Sequence, residues 1–357
     1  MHAVIMAGGA GTRFWPRSRA RRPKQLLSID GALSLIRCTF ERLLPLVPPE
    51  RILVVTRAEQ EPGVRDELPE LPAANLLVEP TGRNTAPAIG LAAAVLQARG
   101  AGKDAMVVLP ADHVIGREEE FRAVLAAGES VLHDHEVLLT LGITPRRPET
   151  GYGYIRCGET VARAAGRAFL RVERFVEKPD LVTARALVAD GRHLWNSGMF
   201  LWRPARIRAE LERHLPALGP GLAQLEKAHG TGAWPAVLQT AYAGFPSVSI
   251  DYGVMEKASE VWVLPVDLGW NDVGSWASLA EVRPQDEGGN VLPPGALALQ
   301  SQRNIVEASG RVVVLLGVSD LIVVDAEDAL LVCQRERAQE VGTIPERLRQ
   351  RGQDSLT

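Results

Sequence analysis

The segment Gly8-Gly9-Ala10-Gly11-Thr12-Arg13 follows an apolar run near the start of the chain and has the make-up of an anion cradle. Gly8, Gly9 and Gly11 let backbone N–H groups turn inward around phosphate oxygens, where side chains would obstruct them, and Thr12 falls in the same turn. The loop continues with Arg13, Arg17, Arg19, Arg21, Arg22 and Lys24. A triphosphate and a phosphate nucleophile repel each other, so fixed cations must screen both before they meet. Arg13 can fork across phosphate oxygens, and Lys24 can supply a point charge. Two better-known glycine loops are excluded. A Walker A loop ends in Gly-Lys-Ser/Thr, which is absent. A dinucleotide fingerprint needs glycine where Phe14 stands, followed by a helix that Pro16 and Pro23 oppose.

Further along, residues 79–96 join a strand to a helix, with Asn84 or Thr85 as the cap and Pro87 in the first turn. That helix end is expected to offer free N–H groups and a positive dipole beside the glycine loop. Glu79 and Asn84 suit a base edge, and a carboxylate matches the adjacent N–H donors of guanine. Asp112 ends the apolar run 106–113, so its carboxylate should emerge at a strand's C-terminal end. One carboxylate with phosphate oxygens and waters makes an ordinary Mg²⁺ shell, although an aspartate ending a strand is more often a turn residue or cap. Asp272 lies in the aromatic, glycine-bounded turn 270–276, where the plain reading is core tryptophans and a helix cap; Asn271 is the weaker candidate. For a phosphosugar, Gly151 and Gly153 allow close backbone approach, Glu177 can accept from vicinal hydroxyls, and Lys178 can meet a 1-phosphate. Asn196 adds a polar group just before another strand.

These residues need a scaffold, and the hydrophobic pattern supplies one. Runs at 2–7, 51–56, 75–80, 104–112 and 137–143 read as buried strands, and amphipathic stretches at 33–45, 86–99 and 118–132 read as helices. Strand–helix alternation predicts an α/β fold: a doubly wound, mostly parallel, Rossmann-like sheet flanked by helices, with ligands outside the carboxyl ends of its strands. A turn-rich linker at 286–295 separates a catalytic domain, 1–285, from a small β domain at 290–357. That second domain closes on a helix at 335–351 and shows no chemistry of its own. The 357 residues are 46% apolar and 23% charged, an ordinary globular composition, and a net charge of −3 gives no sign of a nucleic-acid partner. Of the 40 basic residues five are lysine, a bias that suits phosphate and equally suits genome composition. Cys38, Cys157 and Cys333 form no disulfide or zinc pattern, no run is long enough to span a bilayer, and no room is left for a signal peptide. A cytoplasmic protein is expected, and a homodimer is left open.

The glycine turn followed by Arg13, with Pro23-Lys24-Gln25 farther on, resembles the signature of sugar-1-phosphate nucleotidyltransferases. The bulkier form with Phe14-Trp15-Pro16 resembles bacterial mannose-1-phosphate guanylyltransferases. The resemblance runs motif by motif from residue 2 to about residue 340, and it implies GTP and mannose 1-phosphate as substrates with Mg²⁺ as cofactor. It implies that Arg13 and Lys24 hold the triphosphate and the departing pyrophosphate. Residues 83–87 resemble the base-recognition segment of this branch. Pro-Ala-Asp112-His resembles the metal motif, with His113 structural, and the second metal carboxylate is placed at Asp272. Glu177, Lys178, Gly153 and Asn196 match the sugar half. The tail resembles the β-helix-like turns of the single-function forms, without the isomerase domain of longer relatives. The alternatives are a uridylyl- or thymidylyltransferase acting on glucose 1-phosphate, and a non-catalytic sugar-nucleotide-binding regulator. The presence of Arg13, Lys24, Asp112, Lys178 and Asp272 argues against the regulator.

Overall fold

The computed structural model describes residues 1–29, 31 and 33–357. Strands β1 (His2–Ala7), β2 (Ile52–Arg57), β3 (Leu76–Glu79) and β4 (Met106–Pro110) pair in parallel in the order β3-β2-β1-β4. Ala3, Val4, Ile5 and Val54 are wholly buried, as expected where helices cover both faces of a parallel sheet. Beyond β4 the sheet continues through β6 (Leu138–Ile143), β7 (Tyr154–Ala164), β8 (Arg167–Val176), β9 (His193–Trp202) and β10 (Val261–Val266), in the order β4-β9-β6-β10-β8-β7. Strand β9 runs antiparallel to both β4 and β6, and β7–β8 form a long antiparallel hairpin, so this half of the sheet is mixed. The two-residue strands β5 (Val114–Ile115) and β11 (Trp270–Asn271) pair with each other. That small ribbon draws Asp112, just before β5, towards Asp272, just after β11.

One face of the sheet packs under helices α1 (Leu35–Leu43), α2 (Glu61–Glu67) and α4 (Glu118–Asp134), through Ile36, Phe40, Val64, Phe121 and Val124. The other packs under α3 (Thr85–Ala98) and the helices at Pro204–His214, Gly219–Ala228 and Trp234–Gly244. Helix α3 is buried from Ala86 to Leu96 on all sides, and its small alanines admit that close packing. Short strands Leu297–Leu299, Ile305–Glu307, Val314–Leu316 and Leu321–Asp325 pair in parallel across successive turns, giving a β-helix-like appendage. The expected terminal helix is instead a 3₁₀ segment, Arg335–Thr343, followed by a short α-helix, Ile344–Arg349.

A third core joins this appendage to the glycine loop. Phe14, Trp15, Leu27 and Ile29 pack with Val273, Trp276, Ile305, Ile322, Val324, Ala338 and Val341. Two buried indoles fix the seam: Trp15 Nε1 donates to the Leu356 carbonyl (2.8 Å), and Trp276 Nε1 donates to the Trp15 carbonyl (2.9 Å).

Candidate active site

After β1 the chain makes two 3₁₀ turns, Thr12–Phe14 and Lys24–Leu26, rather than a helix. The second turn buries Lys24, which is 5% exposed. Its ammonium donates to Asp112 Oδ2 (2.9 Å) and to the Asp272 carbonyl (2.6 Å), and lies 5.6 Å over the Phe14 ring. Gly11, at φ 60°, permits this: a Cβ there would come within 2.5 Å of Lys24 Cβ. Burial pushes Asp112 upward, but Lys24, with His113 and a backbone hydrogen bond, together outweigh it and hold the carboxyl below its ordinary pKa. His113 accepts from Trp270 Nε1 at Nδ1 (3.1 Å), and burial is the main influence lowering its pKa.

Asp272 is not a helix cap. That role falls to Ser275, which forms a capping box with Ser278. The Asp272 carboxylate instead accepts from the Tyr152 hydroxyl at Oδ1. Asn271 braces the turn, accepting from Val273 N–H (2.7 Å) and donating to Glu281 (2.8 Å). Val273 is wholly buried with φ 45°, a costly backbone for a β-branched residue. Asn84 (φ 68°) and Lys178 (φ 47°) also sit in the left-handed region, so three of the candidate segments carry backbone strain.

A cleft of about 480 Å³ opens at the carboxyl ends of β1 and β4, lined by Gly8, Gly9, Glu79, Asn84, Thr85 and Asp112, among others. Gly9 faces open space, whereas a Cβ on Gly8 would lie 3.2 Å from Glu79 Oε2. Gln25, which is 2% exposed, pins the glycine turn by donating to the carbonyls of Ala7 (2.7 Å) and Gly9 (3.3 Å). Glu79 is 4% exposed, and its Oε1 has no hydrogen-bond partner among the described residues. Burial raises its pKa to about 7, against smaller opposing effects from Tyr242 and Arg57.

The N-terminus of α3 departs from expectation. Asn84 is the cap, its Oδ1 accepting from Thr85 N–H (2.8 Å). The Thr85 hydroxyl accepts from Ile250 N–H (2.8 Å), Ala86 N–H donates to the Val248 carbonyl (3.1 Å), and Pro87 has no N–H. The first turn is therefore stitched to the 247–251 strap and does not present Thr85 and Ala86 as free anion donors.

That strap leads into the candidate sugar half. Asn196 N–H donates to the Gly153 carbonyl (2.8 Å), and its side-chain amide donates to Asp251 Oδ1 (2.7 Å). A Cβ on Gly153 would collide with the Glu177 carboxylate, and Lys178 pairs with the other Glu177 oxygen. Burial works against the charged Lys178, but Glu177 outweighs it and raises its pKa. Asp251 lines the same cleft as Glu79 and Asp112. Burial, and then the nearby Glu177 charge, push Asp251 up to about 6. It opens a π-helical turn, Asp251–Met255, a distortion frequent at functional sites. Sequence reasoning missed Asp251 because a lone aspartate in an otherwise apolar stretch carries no spacing signal. It missed Tyr152 as the partner of Asp272 because the two lie 120 residues apart.

The basic run does not converge as a whole on the cleft. Arg17 contacts Glu307 (3.6 Å) and Ser309 (3.3 Å), and Arg19 pairs with Asp328 (2.8 Å). Both are engaged by the appendage. Arg13 is exposed, its Nη1 donating to Gln339 Oε1 (2.9 Å). Among the described residues no group of three or more His, Cys, Asp or Glu is arranged to hold a metal ion. Nor is any described helix long and apolar enough to cross a membrane.

Comparison with known proteins places this geometry. The nucleotidyl transferase family model matches residues 2–288, and that of the MannoseP isomerase/GMP-like beta-helix domain matches residues 295–348. The chain is 41% identical over 360 residues to the mannose-1-phosphate guanylyltransferase ManC of Salmonella typhimurium, covering 99% of this chain and 74% of that protein. It is 40% identical over 359 residues to the xanthan biosynthesis protein XanB of Xanthomonas campestris pv. campestris, with the same coverage of each. A crystal structure described as mannose-1-phosphate geranyltransferase from Thermus thermophilus superposes with a TM-score of 0.87 at 41% identity, covering 98% of this chain and 99% of that one. The chain belongs to the nucleotidyl transferase family, among its mannose-1-phosphate guanylyltransferases.

Proposed function

We propose that the chain is a cytoplasmic enzyme that transfers GMP from GTP to α-D-mannose 1-phosphate, releasing GDP-mannose and pyrophosphate. The observation that carries this reading is the single cleft in which Glu79, Asn84, Asp112 and Asp251 share one space at the strand ends, with Lys24 bonded to Asp112 and Asp272. Glu79, with its unpartnered buried oxygen, supplies the acceptor that guanine's N1 and N2 hydrogens require. The Asn84 amide group supplies a donor for O6, since its oxygen is already engaged by Thr85.

The acceptor's phosphate oxygen is ionised at neutral pH and attacks the α-phosphorus in line, so no general base is needed. Asp112 and Asp272 fit a hard divalent cation. Both offer carboxylate oxygens, and each has one oxygen taken by a protein donor, Lys24 or Tyr152. When bound, Mg²⁺ would neutralise charge on the phosphate oxygens. Lys24 keeps the two aspartates in register and adds a fixed positive charge. Glu177, Asn196 and Asp251 offer oxygens and an amide to sugar hydroxyls, and Lys178 meets the 1-phosphate. Pyrophosphate release should be measured for GTP, ATP, UTP and dTTP against mannose and glucose 1-phosphates. The expected result is highest kcat/KM for GTP with mannose 1-phosphate; parity of UTP or dTTP with GTP would refute the guanine assignment.

A further inference from the structure

The appendage, which the sequence leaves without chemistry, touches the phosphate loop through one side chain of special kind. Arg17 and Arg19 meet carboxylates of the appendage, Glu307 and Asp328. Arg13 meets a neutral amide, Gln339. The difference matters. A carboxylate would orient the guanidinium but cancel its charge, whereas an amide oxygen takes one N–H and leaves the full charge and the remaining donors for a phosphate. The contact is also built from behind. Gly342 packs on the Arg13 stem, where a Cβ would come 3.1 Å from Cγ and 3.3 Å from Thr12 Oγ1. Ala338 and Val341, on either side of Gln339, are each 2% exposed and belong to the same core as Phe14. Gln339 therefore stands on an anchored segment while its amide points at an exposed arginine.

We infer that Gln339 is a positioning residue for the nucleotide's triphosphate, acting through Arg13 from outside the catalytic sheet; this rests on the phosphate role proposed for Arg13. The appendage thereby contributes to nucleotide binding rather than only to packing. The test is a pair of variants in the full chain, Gln339→Leu and Gln339→Ala, each also made in an Arg13→Ala background. Initial rates are measured with GTP and mannose 1-phosphate varied separately. Losing one tethering hydrogen bond should raise the nucleotide KM about threefold, with the sugar-phosphate KM and the thermal midpoint unmoved. In the Arg13→Ala background the same substitutions should have no further effect. Gln339→Glu keeps an acceptor but pairs with the charge, so its nucleotide KM should rise more, on the order of tenfold, and recover with added salt. An unchanged nucleotide KM in Gln339→Leu, or an undiminished effect without Arg13, overturns the inference alone. A parental nucleotide KM in Arg13→Ala overturns the phosphate role of Arg13, and the inference with it.

Discussion

Replacing Glu79 by Gln should make the protein more stable and less selective at the same time. Glu79 is buried with an unpartnered oxygen, and its pKa is raised to about 7 from an ordinary 4.5. An acid whose folded pKa is raised loses stability as pH climbs from its unfolded value through its folded value, because the unfolded chain ionises first. The gap corresponds to about 3 kcal/mol once both states are ionised. The linkage relation makes the penalty about 1 kcal/mol at pH 5 and about 3 kcal/mol at pH 8.5. Glutamine has the same shape and no charge, so the variant's advantage over the parent should grow by about 2 kcal/mol between those pH values. Urea unfolding of both proteins at pH 5, 7 and 8.5, followed by tryptophan fluorescence, reads this directly. The same substitution removes a charged acceptor from the cleft and should lower kcat/KM for GTP by roughly tenfold to a hundredfold, with UTP far less affected. A stability gap that stays flat with pH would refute the argument that Glu79 is held by the fold at the expense of its ionisation. Equal losses with GTP and UTP would remove it from base recognition.

Three further outcomes follow from the geometry. Asp112→Asn should abolish turnover while far-UV circular dichroism stays parental and the thermal midpoint falls, because the buried Lys24 ammonium loses its paired carboxylate; near-normal kcat would sink the metal assignment. Lys178→Met should raise the KM for mannose 1-phosphate much more than that for GTP, by about tenfold, and an effect confined to GTP would place Lys178 elsewhere. Gly11→Ala should lower both kcat and stability, by about 1–3 kcal/mol in urea, since a left-handed residue gains a Cβ that meets Lys24; parental activity would show that Lys24 tolerates displacement.

The parallel half of the sheet was legible because its strands are continuous apolar runs with no competing period, and the glycine turn was legible because its residue types have few other uses. The β7–β8 hairpin was not, since Arg, Glu and Thr interrupt its alternation and its two strands shift register repeatedly. Glu79 and Asn84 could be placed at one junction from sequence, but the fate of the α3 N–H groups could not. Val248 and Ile250, which pair with that helix end, come from more than 160 residues away. The partition of the arginines was hidden for the same reason. Arg17 and Arg19 look identical to Arg13 until Glu307, Asp328 and Gln339 are folded against them.

The third core has a consequence in time. Phe14, Trp15, Leu27 and Ile29 find packing partners among residues 273–341, roughly 250 to 330 positions later in the chain. During synthesis at about 5–20 residues per second, the glycine turn emerges on the order of 15–60 s before the segment that packs on it. Strands β1 to β4 can pair in that interval, but Lys24 and Arg13 stay on a loop without its hydrophobic floor. The first four strands can thus pair long before the core beneath the glycine turn is complete.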